Sequence, residues 1–243
     1  MRGAGSPPRW ALRAVAGGSR RRAAGVAVIV AEFMEALDLR DVVLVGNDTG
    51  GAICQILISE HPERVGRLVL TNCDAYEAFF PWPFRFVQYG ARLFGERFVG
   101  ALARVLRARA AQRLLMWTVS RRRAEEQVLD AYFGPLLRDS GVRRDLARFL
   151  RGVSGRHTLR AARTFPGFRR PVLIAWGDRD LLFPLRLARR LQRDFPDAVL
   201  KIVPGSRAFV PEDAPERLAE EIEAFIPSED ESGGSPRGAR GAA

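Results

Sequence analysis

Val42-Val43-Leu44-Val45-Gly46-Asn47-Asp48-Thr49-Gly50-Gly51 decides the fold of this 243-residue chain. Its four leading apolar residues read as a buried strand over 41–46. The Gly-rich turn G-x-D-x-G-G follows, and a helix is expected over 51–60. A strand that turns this sharply leaves its apex residue in a strained backbone conformation. Small neighbours then let strand and helix close up. Asp48 holds the apex, so its side chain is expected to project from the strand tip above the helix N-terminus. The helix dipole there favours an ionised carboxylate, which is what a carboxylate nucleophile requires. The competing reading makes Asp48 a cap of that helix.

Outward from this turn, β and α patterns alternate. A helix over 25–38 precedes the strand, with Val26, Val30, Phe33, Met34 and Leu37 on one face. After the turn come His61-Pro62-Glu63-Arg64, a strand over 67–71, and a long helical stretch from 75 to about 165. Breaks in that stretch are expected near Pro81-Trp82-Pro83 and Gly134-Pro135. Alternation resumes with a strand over 171–176, a Gly-Asp-Arg-Asp loop, a helix from Pro184 to Asp194, a strand over 198–203, and a last helix from Ala214 to Phe225. Strands separated by crossover helices imply a parallel sheet. The expected organisation is a disordered, Arg/Gly-rich segment over 1–24, one α/β domain over 25–226 with an inserted helical lid at about 75–165, and a low-complexity, disordered tail over 227–243.

Composition narrows the function. The net charge of +11 comes almost entirely from arginine, with Lys201 the only lysine. Six arginines and no acid fall in the first 22 residues; elsewhere arginines intermingle with acids, as in Arg143-Arg144-Asp145. No basic stripe with interleaved aromatics is evident, so no nucleic-acid partner is expected. No run reaches the ~18–20 apolar residues that span a bilayer, so no membrane partner is expected either. The run Ala23 to Ala31 behind Arg20-Arg21-Arg22 ends at Glu32 with no small-residue cleavage site, which argues against a signal peptide. Cys54 and Cys73 read as two buried free thiols in a reducing, cytoplasmic compartment. No metal-ligand spacing appears. A dinucleotide is disfavoured too: Gly46 to Gly51 gives G-x-x-x-G-G rather than G-x-G-x-x-G, with Asp48 where a pyrophosphate would lie. No cofactor is expected.

Three segments carry a family resemblance: Val45-Gly46-Asn47-Asp48-Thr49-Gly50-Gly51, Trp176-Gly177-Asp178-Arg179-Asp180, and Pro204-Gly205-Ser206-Arg207-Ala208-Phe209 continuing to Pro215. With His61-Pro62-Glu63-Arg64-Val65, their order and spacing resemble the α/β-hydrolase fold, in the branch with Asp at the nucleophile elbow, to which haloalkane dehalogenases and epoxide hydrolases belong. The resemblance implies Asp48 as nucleophile and the Thr49 N–H as half of an oxyanion hole. It implies Asp180 as the acid that orients a histidine, with Asp74 the alternative acid. It places that histidine just before Phe209, where this chain has Ala208. Thr49 replaces the Trp that usually follows the elbow Asp. The family also carries about four strands before the elbow helix, where this chain has some 24 low-complexity residues. The chain therefore reads as lacking those strands, with the elbow strand on an open edge and self-association through it expected.

The activity so implied is hydrolysis of a small, mostly apolar ester, epoxide or haloalkane as substrate. The alternative is a non-catalytic family member (a pseudoenzyme, a partner-binding module or a fragment), because a general base must release the covalent intermediate. His61 reads as a helix-end residue and His157 as a lid residue. Arg207 stays protonated and cannot act as base; it is available to pair with Asp180 or Asp48, or to hold an anion. For Asp180 the competing reading is a turn-forming or N-capping Asp ahead of Pro184. Phe79, Phe80, Trp82, Phe84 and Phe86 open the lid, either lining an apolar pocket or packing on the core.

Overall fold

The computed structural model describes residues 23–226. In chain order its elements are α1 (Ala23–Ala36), β1 (Val42–Asp48), α2 (Thr49–Glu60), β2 (Val65–Cys73), α3 (Arg85–Phe94), α4 (Glu96–Val105), α5 (Arg109–Val119), α6 (Glu126–Arg138), α7 (Ser140–Gly152), α8 (Gly155–Ala162), β3 (Val172–Gly177), α9 (Leu185–Asp194), β4 (Ala198–Val203), α10 (Val210–Asp213) and α11 (Pro215–Phe225). The ends expected to be disordered, 1–24 and 227–243, lie outside the described residues, apart from Ala23 and Ala24, which open α1.

The four apolar runs become a parallel sheet in the order β1-β2-β3-β4. Side-chain alternation gives the sheet two faces. Leu68, Leu70, Val172, Ile174 and Trp176 pack with α1, α2 and α9 in the main core. Val69, Leu173, Ala175 and Val203 pack with Leu218 of α11 on the other side. Leu57, Leu68, Leu70 and Ile174 are fully buried, each contributing roughly 1.5–3 kcal/mol of transfer free energy. The crossover between β2 and β3 is the helical lid, α3 to α8, so the expected insertion is in place.

One expected helix break is absent. α6 runs through Gly134-Pro135 to Arg138. Pro135 has no N–H for the Ala131 carbonyl one turn earlier, yet the helix continues past it to Arg138. The Arg143 guanidinium from α7 then donates to the carbonyls of Leu136 and Leu137 at 2.9 and 3.2 Å, capping that end. Both cysteines are free and buried, as expected. No helix among the described residues is long and apolar enough to cross a membrane.

Among the described residues β1 pairs on one side only, with β2. Its Val45 is 48% exposed. An uncharged, β-branched edge is a template for pairing with another chain. The protein is therefore expected to self-associate through β1, and Val45→Lys should shift it toward monomer by light scattering. A wild-type monomer with slow amide exchange across residues 42–45 would show that the edge is covered.

Candidate active site

The elbow is built by exclusion. A Cβ on Gly46 would lie 2.7 Å from Gly51 Cα, and one on Gly51 would lie 2.4 Å from Cys73 Cβ. Only glycines allow α2 to start this close to β1 and β2. The bend falls on Asp48, with φ 52° and ψ −129°, a region costly for any residue with a Cβ. Its side chain makes no capping hydrogen bond to α2. The capping role is thus not adopted, and the carboxyl lines a cavity instead.

Two asparagines join the strand tips around it. Asn47 Nδ2 donates to Thr71 Oγ1 at 2.7 Å, to the Asn72 carbonyl at 3.2 Å and to the Ala208 carbonyl at 2.7 Å. Asn72 Nδ2 donates to Asp180 Oδ2 at 2.6 Å, while its Oδ1 accepts from the Gly177 amide at 2.6 Å. Asp180 Oδ1 accepts from the Leu182 amide at 2.7 Å, so this residue does shape its own turn. It is not the cap of α9, whose N-cap is Pro184. Thr49 Oγ1 donates to Asp74 Oδ2 at 3.1 Å, and the Asp74 amide donates to the Asp48 carbonyl at 3.3 Å. Asp48, Thr49, Asp74, Asp180 and Ala208 are therefore gathered at the carboxyl ends of β1, β2 and β3 and the loop after β4.

Burial sets the charge of this cluster. It pushes the Asp48 carboxyl up to about 6, with the nearby Asp180 charge adding to the rise and the Thr49 amide opposing it. The helix dipole expected to keep Asp48 readily ionised is outweighed by desolvation. Burial likewise raises Asp74 well above the carboxylate range, with Asp48 adding to it. One Asp74 oxygen is buried without a hydrogen-bond partner. Asp180 is raised by burial and held back by its bonds from Leu182 and Asn72.

Above Asp48 and Thr49 lies a cavity of about 320 Å³ whose other walls are almost wholly apolar. Phe80, Phe84 and Phe86 line it, as the aromatic cluster suggested. Phe79 is instead packed in the core, and Trp82 is 79% exposed. Leu115, Met116 and Val119 of α5, with Tyr132 and Phe133 of α6, complete the lid side. Neither histidine lines this cavity. His61 caps α2 through its backbone N–H to Leu57 O at 2.7 Å, and His157 sits on α8. Arg207 pairs with neither Asp180 nor Asp48: its guanidinium lies 4.4 Å from the Trp117 ring centroid and donates to the Trp117 carbonyl. Among the described residues no group of three His, Cys, Asp or Glu is placed to hold a metal.

A sequence profile of the alpha/beta hydrolase fold matches residues 1–215. The chain belongs to this family. Among characterised sequences it is similar to an uncharacterized hydrolase, YugF, of Bacillus subtilis (strain 168), at 26% identity over 203 residues, 83% of this chain and 71% of that one. It is also similar to haloalkane dehalogenase 2 of Mycobacterium tuberculosis (strain ATCC 25618 / H37Rv), at 28% identity over 199 residues, 80% of this chain and 67% of that one. Among solved structures, an alpha/beta hydrolase fold protein from Burkholderia ambifaria superposes with a TM-score of 0.70 at 21% identity, covering 81% of this chain and 70% of that one. The haloalkane dehalogenase DatA from Agrobacterium tumefaciens C58 gives 0.68 at 20% identity, covering 82% and 70%.

Within this hydrolase fold, sequence reasoning missed Asn47 and Asn72. The signal was present in both cases: a polar amide at the tip of an apolar strand, where a buried amide must find partners. Beyond the aromatic run, the lid side of the cavity left no comparable signal, because its residues come from α3, α4, α5 and α6, whose packing the sequence does not state.

The raised Asp48 pKa has a consequence for stability. Its folded value, about 6, lies above the reference 3.8, so the folded state binds the proton more tightly and loses stability as pH rises from about 4 through about 6. Asp48→Asn should therefore stabilise the protein above pH 6, by at most about 3 kcal/mol at 1.36 kcal/mol per pKa unit, and by nothing below about pH 4. Urea unfolding of both proteins at acidic and neutral pH checks the sign.

Proposed function

We propose that this family member uses Asp48 as a carboxylate nucleophile toward a small, mostly apolar electrophile bound under the lid. One observation carries the reading: among the described residues, the one carboxyl lining the cavity, that of Asp48, sits on the apex of a strained elbow. Esters, epoxides and haloalkanes fit the apolar walls. The similarity to haloalkane dehalogenases supports the last class, while Thr49 in place of a second ring donor gives little help to a departing halide. With a haloalkane, a carboxylate oxygen of Asp48 attacks carbon, the carbon–halogen bond breaks, and halide leaves with the electron pair. An epoxide opens with its oxygen leaving as an alkoxide that takes up a proton. Both give an ester on Asp48. With a carboxylic ester, Asp48 would attack the carbonyl carbon, the ester C–O bond would break with the alcohol leaving as alkoxide, and a mixed anhydride would remain on Asp48, the Thr49 N–H being positioned to meet the developing oxyanion.

Release is the slow half. Water must attack the ester on Asp48, and a base must take its proton. Asp180 is anchored to orient such a base. Ala208, whose carbonyl is clamped by Asn47, stands where the family resemblance puts the histidine, and neither His61 nor His157 reaches the cavity. The reaction is therefore expected to halt at the ester.

Intact-mass spectrometry after exposure to bromoalkanes, epoxides and p-nitrophenyl esters should show one adduct, lost in Asp48→Ala. Its rate should rise with pH through about 6, the Asp48 value, and level off above it, because only the ionised form attacks. Asp180→Asn should move that midpoint down by removing the neighbouring charge. No adduct across the panel would leave a binding protein rather than a hydrolase.

Ala208→His tests the second half separately. An imidazole placed beside Asp48 and Asp180 should convert a single stoichiometric event into turnover. General-base assistance typically contributes ~10²–10⁴-fold. A folded variant that forms the ester but still does not release it would show that this loop does not supply the base position.

A further inference from the structure

The lid carries an apolar stripe that nothing among the described residues covers. Trp82, Phe86, Tyr89 and Leu93 follow one another at spacings of four, three and four residues, through the short turn at 82–84 and along α3. That spacing keeps them on one side of a helix. They are 79%, 58%, 54% and 76% exposed, and the adjoining Phe94 is 65% exposed. The other side of α3, with Gln88 and Ala91, is buried, and α3 packs against α7. Single exposed apolar residues are ordinary, whereas a continuous row of large ones marks a docking surface.

The charges beside the stripe say what docks. α3 contains no acid; its charged residues are Arg85 and Arg92, both exposed although one Arg92 nitrogen donates to the Val153 carbonyl at 2.8 Å, and exposed Arg97 follows in α4. Glu96, the nearest acid in sequence, faces Arg144 at 3.6 Å. Aromatic and aliphatic side chains along one line, bordered by arginines, are the composition of a helix that lies in a bilayer interface. The apolar side chains enter the acyl boundary, and the guanidinium groups reach anionic headgroups. The same segment is also a wall of the cavity: Pro81, Phe84, Phe86 and Val87 line it above Asp48.

We infer that the lid segment Trp82–Phe94 docks this protein on an anionic lipid surface, so that apolar electrophiles dissolved in lipid reach Asp48 through the wall that touches the membrane. This replaces the expectation of no membrane partner, which rested on the absence of a spanning segment alone. The delivery step rests on the proposed nucleophilic role of Asp48; the docking does not.

Sedimentation of the full chain with vesicles tests the docking. Binding is expected to phosphatidylcholine vesicles containing phosphatidylglycerol, and to weaken with salt and without the anionic lipid. Trp82→Ser/Leu93→Ser should weaken it by at least about tenfold, since two large side chains no longer leave water. Neither residue lines the cavity, so the reaction with a water-soluble bromoalkane without vesicles should be unchanged. Trp82 emission should shift to the blue on binding, and Trp82→Phe should bind but lose that shift. Asp48→Ala should bind vesicles like wild type, which separates failure of the docking from failure of the nucleophile. The proposal is overturned if wild type does not bind, or if Trp82→Ser/Leu93→Ser binds as well as wild type, which would assign the attraction to arginines elsewhere. It is equally overturned if the free protein is a dimer that Trp82→Ser/Leu93→Ser dissociates, because a second copy would then be the occupant of the stripe.

Discussion

The approach of α2 to the tips of β1 and β2 is the constraint on which the active end depends. With Gly46 and Gly51 in contact there is no room for a wider turn, so the chain reverses at Asp48 with a positive φ. The same closeness lets Gln55, one turn into α2, donate to both the Gly51 carbonyl at 3.0 Å and the Asp74 carbonyl at 2.9 Å. Helix, elbow and second strand are thereby tied across a few residues. A methyl group at Gly51 would push α2 off β2, relax the bend and withdraw Asp48 from the cavity. Position and strain of Asp48 are one property of the backbone.

The strand tips are then fixed by amides rather than by ion pairs. Asn47 and Asn72 each donate to two or more acceptors, and Asn72 also accepts. An amide can bridge three backbone or side-chain groups without bringing charge into the interior. That matters where three carboxyls already crowd one end of the sheet. Arginine in either place would hold the carboxylates in their charged state and dull them as nucleophile or proton partner. Trp176 anchors the adjoining loop in the same uncharged way, its indole N–H donating to the Phe183 carbonyl at 3.1 Å.

The fold was legible because it rests on periodicity and glycine. Every strand and crossover helix of the α/β core lies within a few residues of its expected place, and the elbow is where G-x-D-x-G-G put it. Pro135 shows the limit: proline usually breaks a helix, yet α6 continues past it to Arg138, and Arg143 of α7 binds the carbonyls at that end. Trp82 and Phe79 show another. Both sit in one aromatic run, yet one is in solvent and the other in the core, because the chain turns between them at Phe80, with φ 131°, and the extended Pro81. At the site, residue types told which polar groups gather there, since carboxyls and amides are few on apolar strands. Their ionisation was not legible, because desolvation depends on how tightly the lid and the loop after β4 close over them.

That ionisation also biases the chemistry. Asp48 is opposed by burial and by Asp180, while the Arg207 charge acts on Asp180 with its guanidinium held at Trp117. A carboxylate held in such a place is a costly ground state. Alkylation converts it into a neutral ester and relieves that cost. Hydrolysis of the ester must restore the buried charge. On the proposed reading, with neither His61 nor His157 lining the cavity, the electrostatics of the site would favour forming such an adduct over releasing it. On the proposed reading, a histidine introduced at Ala208 would change both at once: its neutral imidazole would accept the proton of the attacking water and then, as imidazolium, be the counter-charge for the regenerated carboxylate.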